Sequence, residues 1–158
     1  MKKMIYMVCA FSVLISSLPI SIFADDLIFE KTKIVALQGE KMEQIDVIVS
    51  WKSDKVEIEL KDRGKKKKYG YLETEIPYDK MSDLTYEYSK HWRVVSAILV
   101  TPWLLFSKRK HHWYSFKYKN AEDKEDAVVL RIDKKEVLLY KRRVPAICGL
   151  ELTEHIED

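Results

Sequence analysis

The chain has 158 residues, 34% of them charged and 47% hydrophobic, with only 4 glycines and 4 prolines. That length supports one domain with a modest core, and the balance excludes a disordered or low-complexity chain. A formal net charge of +3 is too small to argue for nucleic acid as a partner.

The first segment reads as a secretory signal. Lys2 and Lys3 open it, Met4–Leu18 is apolar, Pro19 breaks the run, and Ile22-Phe23-Ala24 ends on a small residue. Cleavage is expected after Ala24. The rival is an uncleaved anchor, since Met4–Phe23 comes to about the 20 residues a spanning helix needs; Pro19 and Ser16-Ser17 argue against it. Cys9 lies too early for a lipoprotein site. Cleavage takes Lys2 and Lys3 from the 28 bases and nothing from the 25 acids, so 26 face 25 and the net charge becomes +1. Only Cys148 would then remain, which leaves no internal disulfide despite an oxidising destination.

Leu27–Gln38 reads as a leading strand. Ile45, Val47, Val49 and Trp51 alternate with Asp46, Ser50 and Lys52, and Val56, Ile58 and Leu60 alternate with Glu57, Glu59 and Lys61. This two-residue period is that of half-buried strands. Asp62-Arg63-Gly64 is turn chemistry, with Gly64 free to take a positive φ, and Lys65–Lys68 is expected as the solvated tip of a hairpin. Tyr69–Ile76 should return as a strand, and Tyr78–Ser82 as a single turn. Leu84, Tyr86 and Tyr88, then His112, Tyr114, Phe116 and Tyr118, then Val128, Leu130 and Ile132 complete the alternating segments. Asp133 stands where a helix N-cap should be, with Glu136 three residues on. Val137, Tyr140, Val144 and Ile147 keep helical spacing and Gly149 stops the helix. Pro145 predicts a kink or an early end, with Leu150–Thr153 extended beyond it.

Ile76, Pro77, Tyr78, Met81, Leu84 and Tyr86, then Lys110, His112 and Trp113, then Val129, Leu130, Asp133 and Lys134 form an order of elements that resembles the pleckstrin-homology-like superfold, and small bacterial GRAM-like and PH-like domains most of all. The likeness covers roughly residues 44–152. It implies a mainly β protein, a bent antiparallel sandwich or barrel of seven strands capped by one C-terminal helix, that binds lipids, peptides or proteins rather than catalysing. Export and the long apolar insertion depart from it.

Catalytic chemistry has little footing in the residue pattern. His111 and His112 are adjacent, so on a strand they face opposite sides and cannot share one metal. There is no Gly-x-Ser-x-Gly elbow, and Cys148 sits near the end of a helix rather than at its start. Neither a metal nor another cofactor is expected, and Glu57, Glu59, Glu73 and Glu75 read as ordinary solvation.

The singular stretch is Val94–Phe106, whose 13 residues are interrupted only by Ser96, Thr101 and Pro102. As a helix it would extend about 20 Å, against roughly 30 Å of hydrocarbon, so it cannot span alone. Its flanks are cationic at both ends: Lys90, His91 and Arg93, then Lys108, Arg109 and Lys110. Three placements are open: packed under the sheet, laid in a membrane interface, or used as a subunit interface. In the interface placement Trp92, Trp103 and Trp113 would sit at headgroup depth. Leu99, Leu104, Leu105 and Phe106 would enter the acyl boundary, and Arg93, Lys108, Arg109 and Lys110 would meet anionic lipid. The expectation is a non-catalytic binding module of the bacterial cell envelope, periplasmic or peripheral to a membrane, whose partner is an anionic lipid surface or an envelope protein. A carrier of a small apolar ligand is the second reading, and an enzyme the third.

Overall fold

The computed structural model describes residues 26–38, 41–90 and 109–157. The expected signal Met1–Ala24 and the stretch Val94–Phe106 lie outside the described residues. The chain runs β1 (Leu27–Gln38), β2 (Lys41–Trp51), β3 (Lys55–Leu60), a 3-10 turn (Arg63–Lys65), α1 (Lys66–Tyr69), a second 3-10 turn (Gly70–Leu72) and β4 (Thr74–Pro77). A third 3-10 turn (Tyr78–Lys80), β5 (Met81–Ser89), β6 (His111–Lys119), β7 (Glu125–Ile132), α2 (Val137–Cys148) and β8 (Leu152–Ile156) follow.

The protein is mainly β with one C-terminal helix, as the alternation requires. The strands form one open sheet in the order β4-β3-β2-β1-β7-β6-β5-β8. It is mixed rather than wholly antiparallel, because β8 returns through α2 to lie parallel to β5. A parallel return needs a crossover, and α2 is that crossover. Trp51 on β2 meets Tyr114 and Phe116 on β6 edge-on, at ring distances of 6.3 and 5.5 Å. Since β1 and β7 separate those strands in the order, the sheet must curl to bring them together. The narrow β1–β7 seam, with only Lys33↔Arg131 and Ile34↔Leu130 in register, joins the two halves.

The core fills the inside of this curl. Val47, Val49, Trp51, Val56, Leu84, Tyr114, Leu130, Tyr140 and Val144 are wholly buried. Tyr140 anchors α2 by stacking on Phe29, with ring centroids 3.9 Å apart, and by sharing a 3.0 Å hydrogen bond with the Thr32 hydroxyl. β1 is irregular between Phe29 and Thr32. This bulge turns Thr32 inward and leaves Lys31 exposed.

Four local expectations change. Lys65–Lys68 is not a hairpin tip: Lys65 ends a 3-10 turn and Lys66–Lys68 begin α1. Gly64 keeps ordinary φ, and the Asp62 carboxylate accepts its N–H at 2.9 Å. The helical turn swings Tyr69 into the core, where its hydroxyl donates to Glu43, so the strand is only Thr74–Pro77. Asp133 does not cap α2. Its carboxylate accepts from the Lys135 N–H at 2.9 Å, and the helix starts after Glu136, which makes no side-chain cap. The helix runs through Pro145 to Cys148 without the early end that proline predicts, and stops at Gly149 with φ of 70°. Pro145 costs the ladder one bond, its missing N–H to the Lys141 carbonyl, but its own carbonyl still closes the last turn by accepting the Gly149 N–H at 2.9 Å.

Candidate functional site

Of the residues expected to meet a membrane or partner, Trp92, Arg93, Leu99, Trp103, Leu104, Leu105, Phe106 and Lys108 lie outside the described residues. Arg109 is exposed and Lys110 is half-buried at the start of β6. Trp113 corrects the expectation: it is 1% exposed and cannot lie at headgroup depth. Its indole N–H donates to the Ser89 carbonyl at 3.4 Å. The alternation along β6 turns Tyr114 and Phe116 into the core and Trp113 and Ser115 to the other face. That face is buried too, since Thr85, Glu87, Ser89, Ser115 and Val129 are all at most 3% exposed. A strand buried on both faces hides its second face from any reading based on polar-out alternation.

Lys110 and the histidines behind it open instead onto a groove of about 350 Å³ at the β1–β7 seam. Four parts of the chain build it. β1 supplies Lys31 and Lys33. The end of β7 supplies Arg131 and, just beyond it, Lys134. The start of β6 supplies Lys110, His111 and His112, and β5 supplies Tyr88. Asp133 is the single carboxylate among the lining residues, and it already accepts the Lys135 N–H.

The cations are held apart by separate partners. The Lys33 ammonium donates to Asp46 at 2.7 Å. Arg131 Nη1 donates to Gln44 Oε1 at 2.8 Å, a neutral acceptor. Lys110 Nζ donates to the Glu157 carbonyl at 2.5 Å and lies 5.7 Å from the Tyr88 ring centre. Lys31 and Lys134 form no ion pair among the described residues. The wall is aromatic: the His112 ring stacks on Tyr88 at 4.6 Å, and its Nδ1 shares a 2.8 Å hydrogen bond with the Tyr86 hydroxyl. His111 meets Trp113 edge-on at 5.7 Å.

The field of this groove is legible in its histidines. Burial lowers the pKa of His111, and Arg131, His112 and Arg109 lower it further. Burial lowers His112 as well, helped by Lys134 and opposed only by Asp133. Desolvation and the neighbouring positive charges thus both favour the neutral imidazole at these two positions.

A larger groove of about 590 Å³ opens at the other end of the sheet, where Glu57, Glu59, Glu73 and Glu75 face Arg63 and Lys66. Its charges cancel at home. Glu57 is bridged by Lys52 and Lys55 at 2.5 and 2.9 Å, Glu75 by Lys55 at 2.6 Å, and Glu73 by Lys66 at 2.6 Å. The smaller groove is the one that carries an uncancelled charge.

Among the described residues, no group of three or more His, Cys, Asp or Glu side chains could hold a metal ion, and no helix is long and apolar enough to cross a membrane. The Cys148 Sγ–H points to the Val144 carbonyl at 3.1 Å, and burial raises its pKa, the reverse of an activated thiol. Compared with known proteins, the chain matches no family model and no curated protein.

Proposed function

We propose that the chain is a non-catalytic binding module of the bacterial cell envelope, exported on a signal cleaved after Ala24, which engages an anionic membrane surface through the basic end of its sheet. The observation that carries this reading is the groove at the β1–β7 seam: five Lys and Arg side chains against one lining carboxylate, on a chain whose processed net charge is only +1. Charge segregated in this way serves a directed contact rather than general solubility. Lys110 is itself one of the cations that flank Val94–Phe106 in the sequence, next to Arg109. Each Lys or Arg close to an anionic leaflet contributes about 1 kcal/mol, and the attraction decays over a Debye length.

A pleckstrin-homology-like fold is part of the same proposal. Seven strands run antiparallel in sequence-neighbour order apart from the β1–β7 join, curl until β2 faces β6, and are followed by a helix packed against Phe29. These features support that likeness, and the parallel β8 is an addition to it.

Vesicle flotation tests the function. The purified protein should float with phosphatidylglycerol vesicles at low salt, not with neutral phosphatidylcholine, and should be released by about 0.5 M salt. Failure to float with anionic vesicles at low salt overturns the membrane reading and leaves an acidic envelope protein as the partner to seek.

A further inference from the structure

We infer that the groove at the β1–β7 seam is a binding site for a phosphate monoester, a dianion presented by a lipid headgroup or by a soluble phosphorylated compound. The inference deepens the membrane reading and rests on it only for where the phosphate is carried.

Its first support is a local rule that the fold breaks. Lys33 and Arg131 are direct cross-strand partners, and like charges placed opposite one another destabilise a sheet. The seam has only two register pairs, so this repulsion falls on half of the pairing that joins the two halves of the sheet. Asp46 relieves Lys33, but among the described residues the side-chain partner of Arg131 is the neutral Gln44 amide. Broken local rules of this kind concentrate at functional positions, where something absent from the free protein supplies the compensation.

The second support is the shape of the donor set. Lys31 and Lys134 reach the groove from β1 and from beyond β7, without an ion pair among the described residues. The one lining carboxylate is engaged by its own turn. Arg131 offers a planar fork of donors, and the lysines offer point charges. His111 and His112 each carry one N–H donor when neutral and two when protonated. A phosphate monoester brings close to two negative charges and three strongly accepting oxygens. It can satisfy several of these donors at once, whereas a carboxylate has two oxygens and one charge, and a phosphodiester also has one charge. The stacked His112–Tyr88 wall and the Tyr86 hydrogen bond fix one side of the site before a ligand arrives. At about 350 Å³ the groove falls at the lower end of small-molecule sites.

The test uses the histidines as reporters. In NMR titrations of the purified protein, inorganic phosphate should raise the pKa of both His111 and His112 by about 0.5 unit or more, because a bound anion favours imidazolium. The exposed pair Lys31→Ser/Lys134→Ser should weaken phosphate binding by about tenfold or more. The control pair Lys65→Ser/Lys67→Ser removes the same charge elsewhere and should leave binding within about twofold. A parallel arm compares vesicles of phosphatidic acid, whose phosphate is a terminal monoester, with phosphatidylglycerol vesicles at matched charge. Histidine shifts with a preference for phosphatidic acid support the site and assign the phosphate to a headgroup. Histidine shifts without binding to either vesicle support the site with a soluble ligand and overturn the membrane reading. Vesicle binding with no headgroup preference, no histidine shift and equal damage from the two double variants overturns the site and leaves the membrane reading standing. Neither vesicle binding nor a histidine shift overturns both.

Discussion

The hydrogen bond between Tyr140 and Thr32 gives the sharpest test of how the fold holds its groove. It joins α2 to β1 across 108 residues of sequence at 3.0 Å, with both residues wholly buried. It also pins the bulged part of β1, so it sets where Lys31 and Lys33 enter the groove. Tyr140→Phe keeps the ring stacked on Phe29 but leaves the Thr32 hydroxyl buried and unpaired. Thr32→Val, close to isosteric, takes this partner from the Tyr140 hydroxyl and leaves it only the neighbouring Trp51 indole among the described residues. Each single change should therefore cost about 1–3 kcal/mol, the desolvation penalty of an orphaned group rather than the smaller net value of a hydrogen bond. At roughly 4 °C per kcal/mol for a domain of this size, that is a fall in Tm of about 4–12 °C. The double variant Tyr140→Phe/Thr32→Val leaves neither group orphaned and should recover most of the loss. Urea denaturation of the four proteins closes the cycle. If the double variant loses as much as the two singles added together, the hydroxyls do not depend on one another and the reasoning fails.

Three further outcomes follow from particular residues. Trp113→Ala should cost about 3–5 kcal/mol in chemical denaturation, since it empties a buried site; a loss below about 0.5 kcal/mol would mean that the second face of β6 is open to solvent. Asp133→Ala should cost about 0.5 kcal/mol, less than a helix cap at about 1 kcal/mol, because the carboxylate holds a turn and not the first turn of α2. Stability should fall as pH drops through the ordinary histidine value near 6.5, because the unfolded chain takes up protons there that His111 and His112, with pKa values lowered in the fold, accept only at lower pH. Half-buried Glu136, its carboxyl raised by burial and by Asp133, works in the opposite sense as it gains its proton in the fold. The control is therefore His111→Gln/His112→Gln, which should flatten urea midpoints between about pH 7.5 and 5.5 if the histidines are the cause.

Much of the sheet was legible because its period is local. Val56, Ile58 and Leu60 alternate with charges over six residues, and β3 is found there. The same holds for Tyr114 and Phe116 in β6. Where the reading failed, the deciding contact lay far away. Nothing in four consecutive lysines marks a helical turn; what makes one is Tyr69 packing inward to reach Glu43, 26 residues earlier. β8 has no alternation to read, with Thr153, Glu154, His155 and Ile156 all exposed. Its pairing with β5 depends on a crossover that the packing of Tyr140 and Val144 holds in place.

The groove was illegible for the same reason, carried further. Along the chain Lys110 reads as a cation flanking the apolar stretch, and His111 and His112 as neighbours that face opposite sides of a strand. What makes them a concave site is the β1–β7 pairing, which sets Lys33 against Arg131 from positions 98 residues apart. Spacing along the chain cannot report such a pair, and each member alone is an unremarked surface cation. Composition could not report it either, because the near-neutral balance of 28 bases against 25 acids averages this groove with the one at the other end, where glutamates and lysines cancel. A net charge is a sum over the surface, while a ligand meets a local field. In this protein the two differ because the curl of the sheet gathers cations from three segments against a single lining carboxylate, Asp133, with Lys33 alone of them paired to Asp46.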